Sequence, residues 1–155
     1  MKQAFFYDMV LGRVGIAQQD GAVTDVFMSG DQIPPDVEIQ ETPLLLQAAN
    51  ELKEYFQGLR KEFSVPLRPE GTAFQIKVWE ALLQIPYGQT WTYGQLARAV
   101  GNPKASRAVG MANHRNPIMI LIPCHRVIGS NGSLVGYGGG LPMKEALLKL
   151  EKSGA

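Results

Sequence analysis

Residues 92–112 read Thr92-Tyr93-Gly94-Gln95-Leu96-Ala97-Arg98-Ala99-Val100-Gly101, then Asn102-Pro103-Lys104-Ala105-Ser106-Arg107-Ala108-Val109-Gly110-Met111-Ala112. Thr92 and Gln95 stand at capping-box spacing, where the Thr hydroxyl accepts from one backbone amide and the Gln side chain reaches back to another. A helix therefore opens at Thr92 and runs through Val100, and Gly101 closes it by tolerating a left-handed backbone. Asn102 offers a side-chain cap and Pro103 a first position whose missing N–H costs nothing, which predicts a second helix through Ala112. Two short helices about so tight a turn form a helix-turn-helix. The second is rich in small side chains and carries one long cation, Arg107, in its middle. Small residues allow close approach, either to a nucleic-acid groove, with Arg107 reaching into the base stack, or to another helix of the core. The motif alone leaves both open.

On the N-terminal side, Thr72 caps a helix predicted to about Gln84, with Phe74, Val78, Ala81 and Leu82 inward, and Pro86-Tyr87-Gly88 stops it. Pro66 and Pro69-Glu70-Gly71 mark a boundary between a domain at 1–68 and another at 71–155. In the first domain, Phe5 to Leu11, Gly12 to Gln18 and Ala22 to Met28 are β-leaning runs, and Asp20-Gly21 is a hairpin signal. Asp31 to Glu41, with Pro34-Pro35, reads as an exposed linker. A helix follows from Thr42, with Pro43 at its first position, to Gly58, burying Leu45, Ala49, Leu52 and Phe56. Beyond the helix-turn-helix come an apolar strand, Ile118 to Ile122, a glycine-dense loop from Gly132 to Gly140, and a last helix from Pro142 to about Glu151 that packs through Leu147, Leu148 and Leu150. The glycine loop lacks the Lys-Ser/Thr ending of a phosphate cradle and reads as a lid or pocket wall. The fold class is α+β: a small N-terminal β-sheet domain with a helix, then a mainly helical C-terminal domain.

The net charge of +1 hides a division. Residues 1–70 hold six Lys or Arg against eleven Asp or Glu, whereas residues 71–155 hold nine against three. No carboxylate occurs between Glu80 and Glu145, a stretch that carries Arg98, Lys104, Arg107, Arg115 and Arg126. Such a surface suits a polyanion, although a solvated face that happens to lack acids has the same composition. The apolar runs fall short of a membrane span, and Met1-Lys2-Gln3 leads into no signal-peptide pattern, so a soluble cytoplasmic protein with no membrane partner is expected.

The one cysteine, Cys124, lies in Ile120-Leu121-Ile122-Pro123-Cys124-His125-Arg126-Val127. Without a second thiol there is no internal disulfide and no cysteine-rich zinc site. Adjacent strand residues face opposite ways, so His125 assists Cys124 only if the strand ends there, and Pro123, unable to donate to a ladder, predicts that it does. A lone cysteine after an apolar run is otherwise an inert packing residue.

Arg107-Ala108-Val109-Gly110, Asn116-Pro117, Pro123-Cys124-His125-Arg126-Val127 and Gly136-Tyr137-Gly138-Gly139 together closely resemble the O6-alkylguanine-DNA alkyltransferases, also called methylated-DNA-protein-cysteine methyltransferases. The likeness extends through Gly71-Thr72-Ala73-Phe74-Gln75, Ile85-Pro86-Tyr87-Gly88 and Thr92-Tyr93-Gly94-Gln95-Leu96-Ala97 to Lys144-Glu145-Ala146-Leu147-Leu148. It covers nearly all of residues 71–151. Glu54-Tyr55-Phe56-Gln57-Gly58 with Pro66-Leu67 is similar as well, while residues 1–40 match only in general character.

The resemblance implies a ribonuclease H-like first domain and a single irreversible transfer of an alkyl group from O6 of guanine, or O4 of thymine, in double-stranded DNA to the thiolate of Cys124. It implies His125 as base acting through a water, Glu151 orienting the histidine, Tyr93 assisting the leaving purine, and Asn116 tying the binding loop to the helix-turn-helix. Val127, Val135, Tyr137 and Gly138 would form the substrate pocket. Arg107, Ala105, Ser106, Ala112, Tyr93 and Arg126 would meet DNA at its minor groove, with Arg107 filling the vacated stack. The implied protein is a monomer, associated with the nucleoid when on DNA, and uses no cofactor and no metal. Two other readings share these residues: a Cys-His hydrolase, and a non-catalytic lesion-binding module in which Cys124 only packs.

Overall fold

The computed structural model describes residues 1–28, 31, 33–133 and 140–153. They form two compact units, Met1–Glu70 and Gly71–Ala155, and the α+β class is the expected one.

In the first unit, β1 (Gln3–Met9), β2 (Gly12–Gln19) and β3 (Ala22–Phe27) form an antiparallel meander, with Phe5 opposite Ile16 and Ile16 opposite Val26. Asp20 and Gly21 both take positive φ, 52° and 79°, the paired left-handed geometry that suits the strand twist. A fourth strand, β4 (Glu38–Ile39), pairs parallel with β1 and completes the order β3-β2-β1-β4. The segment expected as an exposed linker is exposed but also carries this short strand: Glu38 N donates to Lys2 O and Gln40 N to Ala4 O, backbone bonds made by exposed residues that leave no apolar pattern to read. The outer edge of β3 is covered where Val23 N donates to Pro66 O and Arg68 N to Val23 O.

Helix α1 (Pro43–Phe56) is capped by Thr42, whose hydroxyl accepts from Leu45 N, and Gly58 ends it at φ 76°. It packs on the sheet through Leu45, Ala48, Ala49, Leu52 and Tyr55. The last inward aromatic is thus Tyr55 and not Phe56, which is half-buried, because the stripe advances three residues from Leu52.

In the second unit, α2 (Ala73–Leu82) starts with a reciprocal capping box between Thr72 and Gln75. It buries Val78, Trp79 and Leu82, whereas Phe74, expected inward, lies on the exposed first turn. Strand β5 (Trp91–Thr92) leads into α3 (Tyr93–Ala99), which Thr92 and Gln95 cap as expected, and Gly101 turns the chain at φ 82°. Helix α4 (Ser106–His114) begins three residues later than predicted. Asn102 and Pro103 form a turn instead, with Ala105 N donating to Asn102 O, since Asn followed by Pro suits the first two positions of a β-turn as well as a helix start. Helices α2, α3 and α4 pack on one another, and Trp79 Nε1 donates to Ala112 O at 2.8 Å.

The expected strand at Ile118–Ile122 is a buried loop. Ile120 takes φ 75°, Leu121 N returns to Met119 O, and Ile122 N returns to Ile118 O. All five side chains are buried, so the apolar run reports burial and not extension. The chain then forms a 3₁₀ turn, Cys124–Arg126, followed by β6 (Val127–Ile128), which pairs parallel with β5. Helix α5 (Leu141–Ser153) closes the unit and packs against the 3₁₀ turn.

Candidate active site

Four local features place Cys124. Asn116, directly after α4, ties the ends of the 118–122 loop: its Oδ1 accepts from Ile118 N at 2.9 Å and its Nδ2 donates to Ile122 O at 2.8 Å. Cys124 N then donates to Ile122 O, and Arg126 N to Pro123 O, so the 3₁₀ turn follows the proline directly. From the last turn of α4, Asn113 Nδ2 reaches Cys124 O at 3.4 Å. Pairing of Trp91 with Val127 and Thr92 with Ile128 sets the start of α3, and hence Tyr93, beside the same turn.

The side chains that follow are shut away from solvent. Cys124 is 3% exposed and His125 fully buried. His125 Nε2 lies 2.6 Å from Glu151 Oε2, and Glu151, from the inner face of α5, is itself buried. Arg126 completes the cluster, with Nε 2.8 Å from Glu151 Oε1, Nη2 3.0 Å from Oε2 and Nη1 donating to Ile85 O at 2.7 Å. Its guanidinium lies over the Tyr87 ring at 5.6 Å. Arg126 is thus an internal ion-pair residue and is corrected from the expected DNA contact: a guanidinium that neutralises a buried carboxylate has no face left for phosphate. Ala112 is corrected likewise. It is buried on the inner face of α4, while Ser106 and Arg107 are exposed on that helix and Ala105 is half-buried at its start.

Burial governs the electrostatics. It pushes the Cys124 thiol from 9.0 up to about 11, against a hydrogen bond from Asn116, the Lys144 charge and the local backbone. The resting sulfur is therefore a thiol, and a proton must leave before it attacks. Burial also lowers the His125 pKa, with the nearby Arg126 and Lys144 charges adding to the fall and Glu151 opposing it, so the ring is held neutral. Tyr93 is raised by burial and by the charge of a Cys124 thiolate, against a bond from Asn113, which keeps its phenol a donor. Helix α4 passes close beside this ring at Gly110, where a Cβ would meet Tyr93 at 3.5 Å, an ordinary van der Waals contact.

In the sequence Lys144 stands only as the first residue of Lys144-Glu145-Ala146-Leu147-Leu148, with no chemical signal of its own. It is fully buried, its Nζ donates to Val127 O, and burial lowers its pKa. The signal available was spacing: residues 144, 147 and 151 fall on one stripe of α5, which begins in a cation and ends in an anion around Leu147. Val127 is fully buried beside them, whereas Val135, Tyr137 and Gly138 lie outside the described residues. Among the described residues no group of three or more His, Cys, Asp or Glu stands where a metal ion would be held.

The comparisons with known proteins bear on both units. Residues 73–153 match the family model described as 6-O-methylguanine DNA methyltransferase, DNA binding domain, and residues 4–69 match its ribonuclease-like domain. The chain belongs to the 6-O-methylguanine DNA methyltransferase family. A methylated-DNA–protein-cysteine methyltransferase of Methanosarcina acetivorans is 58% identical over 77% of this chain and 76% of its own. The constitutive one of Bacillus subtilis is 47% identical over 92% and 90%. The crystal structure of Mycobacterium tuberculosis OGT in complex with DNA superposes with a TM-score of 0.92 at 44% identity, covering 99% of this chain and 94% of that one. Cys124, His125, Arg126, Lys144 and Glu151 all fall within the matched DNA-binding model of the methyltransferase family.

Proposed function

We propose that this chain repairs alkylated DNA by taking one methyl or other alkyl group from O6 of guanine onto Sγ of Cys124. The observation that carries the reading is the buried Cys124–His125–Glu151 series, a lone thiol on the same 3₁₀ turn as a neutral imidazole whose Nε2 meets a carboxylate. The thiol proton passes to His125 through a water, and the sulfur lone pair then forms the new S–C bond as the C–O6 bond breaks. The electron pair left on the purine is stabilised by the Tyr93 phenol, and the base regains a proton. The products are an S-alkylcysteine and an unmodified guanine. A thioether has no carbonyl for water to attack, so each molecule acts once.

The proposed approach is to the minor groove of double-stranded DNA, as a monomer in the cytoplasm. Exposed Ser106 and Arg107 support it, lying on a helix with no carboxylate. Arg107 then occupies the space of the extruded base. Mixing the protein with an oligonucleotide containing O6-methylguanine should add one methyl to the Cys124 peptide by mass spectrometry. Cys124→Ala should still bind and accept nothing. An unmodified peptide with the methylated base intact would overturn the reading and leave a binding module.

A further inference from the structure

Behind the imidazole Glu151 is also paired with Arg126, a buried cation that takes no part in the transfer itself. Glu151 Oε2 meets His125 Nε2 at 2.6 Å and Arg126 Nη2 at 3.0 Å, while Oε1 meets Arg126 Nε at 2.8 Å and Gly88 N at 3.4 Å. A guanidinium cannot release its proton in a protein, and its bidentate fork favours an ionised carboxylate. The hydrogen shared between Glu151 and His125 then belongs to His125 Nε2, and in a neutral ring Nδ1 is left as an acceptor. Nδ1 is buried and hydrogen-bonded to none of the described residues.

The charged groups acting on His125 are Arg126 on its own turn and Glu151 and Lys144 on α5, and Cys124 precedes it on that turn. Tyr87 faces the guanidinium from the loop after α2. Helix α2 itself, which also packs on the turn, buries only Val78, Trp79 and Leu82 there. Without Arg126, the buried carboxylate would have the imidazole as its nearest partner for neutralisation. An imidazolium would then be the stable form, and a ring already carrying two protons takes none from a thiol.

We propose that Arg126 is a positioning residue that keeps His125 a neutral base, by neutralising Glu151 and fixing the His125 hydrogen on Nε2. The idea rests on the alkyl-transfer reading, but its first test does not. The chain holds two histidines, His125 and the exposed His114, so their ring nitrogens give two separable sets of NMR signals. In the unaltered protein His125 should show the neutral Nε2–H pattern at pH 7. In Arg126→Gln its protonation should move upward by at least about one pH unit, and Arg126→Lys should reverse most of that move. Arg126→Gln/Glu151→Gln, which removes both charges together, guards against misfolding and should return the ring to neutral.

The rate of methyl transfer from an O6-methylguanine oligonucleotide should follow. Its acid limb should shift upward in Arg126→Gln by the same interval, with activity recovered at higher pH, whereas a purely structural role lowers the rate equally at every pH. A His125 titration unmoved by Arg126→Gln, or a protonated ring in the unaltered protein at pH 7, overturns the proposal. Absence of methyl transfer with the NMR pattern as expected would sink the alkyl-transfer reading alone.

Discussion

At the scale of single residues, the opposition between burial and reactivity at Cys124 sets the behaviour of the free protein. A thiol pushed up to about 11 holds roughly one thiolate in ten thousand molecules at pH 7, and the sulfur is 3% exposed. General thiol reagents should therefore label folded Cys124 at least about a hundredfold more slowly than the same residue in denaturant. Timed iodoacetamide labelling read by mass spectrometry checks this, and equal rates would mean that the sulfur is neither buried nor raised. Glu151 is the complementary case. Glu151→Gln leaves the Arg126 cation buried without its counter-charge, and breaking such a pair costs about 3–5 kcal/mol, readable from urea unfolding. Sequence identified the members of this cluster but misassigned one. Arg126 stands among the cations of an acid-free stretch, and nothing in its neighbours tells a surface arginine from a buried one until the inner stripe of α5 brings Glu151 to it.

At the scale of elements, helix starts with a side-chain cap were legible because the cap is a local hydrogen bond between residues three apart. Thr42, Thr72 and Thr92 all make theirs. The start of α4 was not legible, since Asn102-Pro103 encodes a turn as readily as a cap, and the 118–122 loop was not, since a fully buried run has no period. Both unreadable elements are held by contacts distant in sequence or by one side chain, Asn116. Asn116→Ala would strip the partner from the buried Ile118 N and remove one of the two donors to Ile122 O, which Cys124 N still reaches. At about 1–3 kcal/mol for a polar group left unsatisfied, it should destabilise the protein by a few kcal/mol in denaturant melts and slow methyl transfer, because the loop carries Cys124. Thr92→Ala removes only an exposed cap and should cost about 1 kcal/mol. A smaller loss for Asn116→Ala than for Thr92→Ala would show that the loop is held by packing alone.

At the scale of the whole molecule, the transfer converts a titrating thiol at a packed position into a thioether that cannot titrate. The added methyl enters a site that is already 3% exposed, and overfilling such a site costs about 1–3 kcal/mol. The methylated protein should therefore melt several degrees below the free one at pH 7. The free thiol adds a pH dependence of its own. Its folded pKa, about 11, lies above its ordinary 9.0, so the folded state holds the proton more tightly than the unfolded chain. The stabilisation this gives is complete below pH 9 and is lost as pH rises towards 11. The thioether has no proton to lose and shows no such decline. The stability difference between free and methylated protein should thus be largest near neutrality and narrow between pH 9 and 11, as paired denaturant melts across that range would measure. A gap that stays constant with pH would mean that the Cys124 proton is held no more tightly in the folded protein than in the unfolded chain.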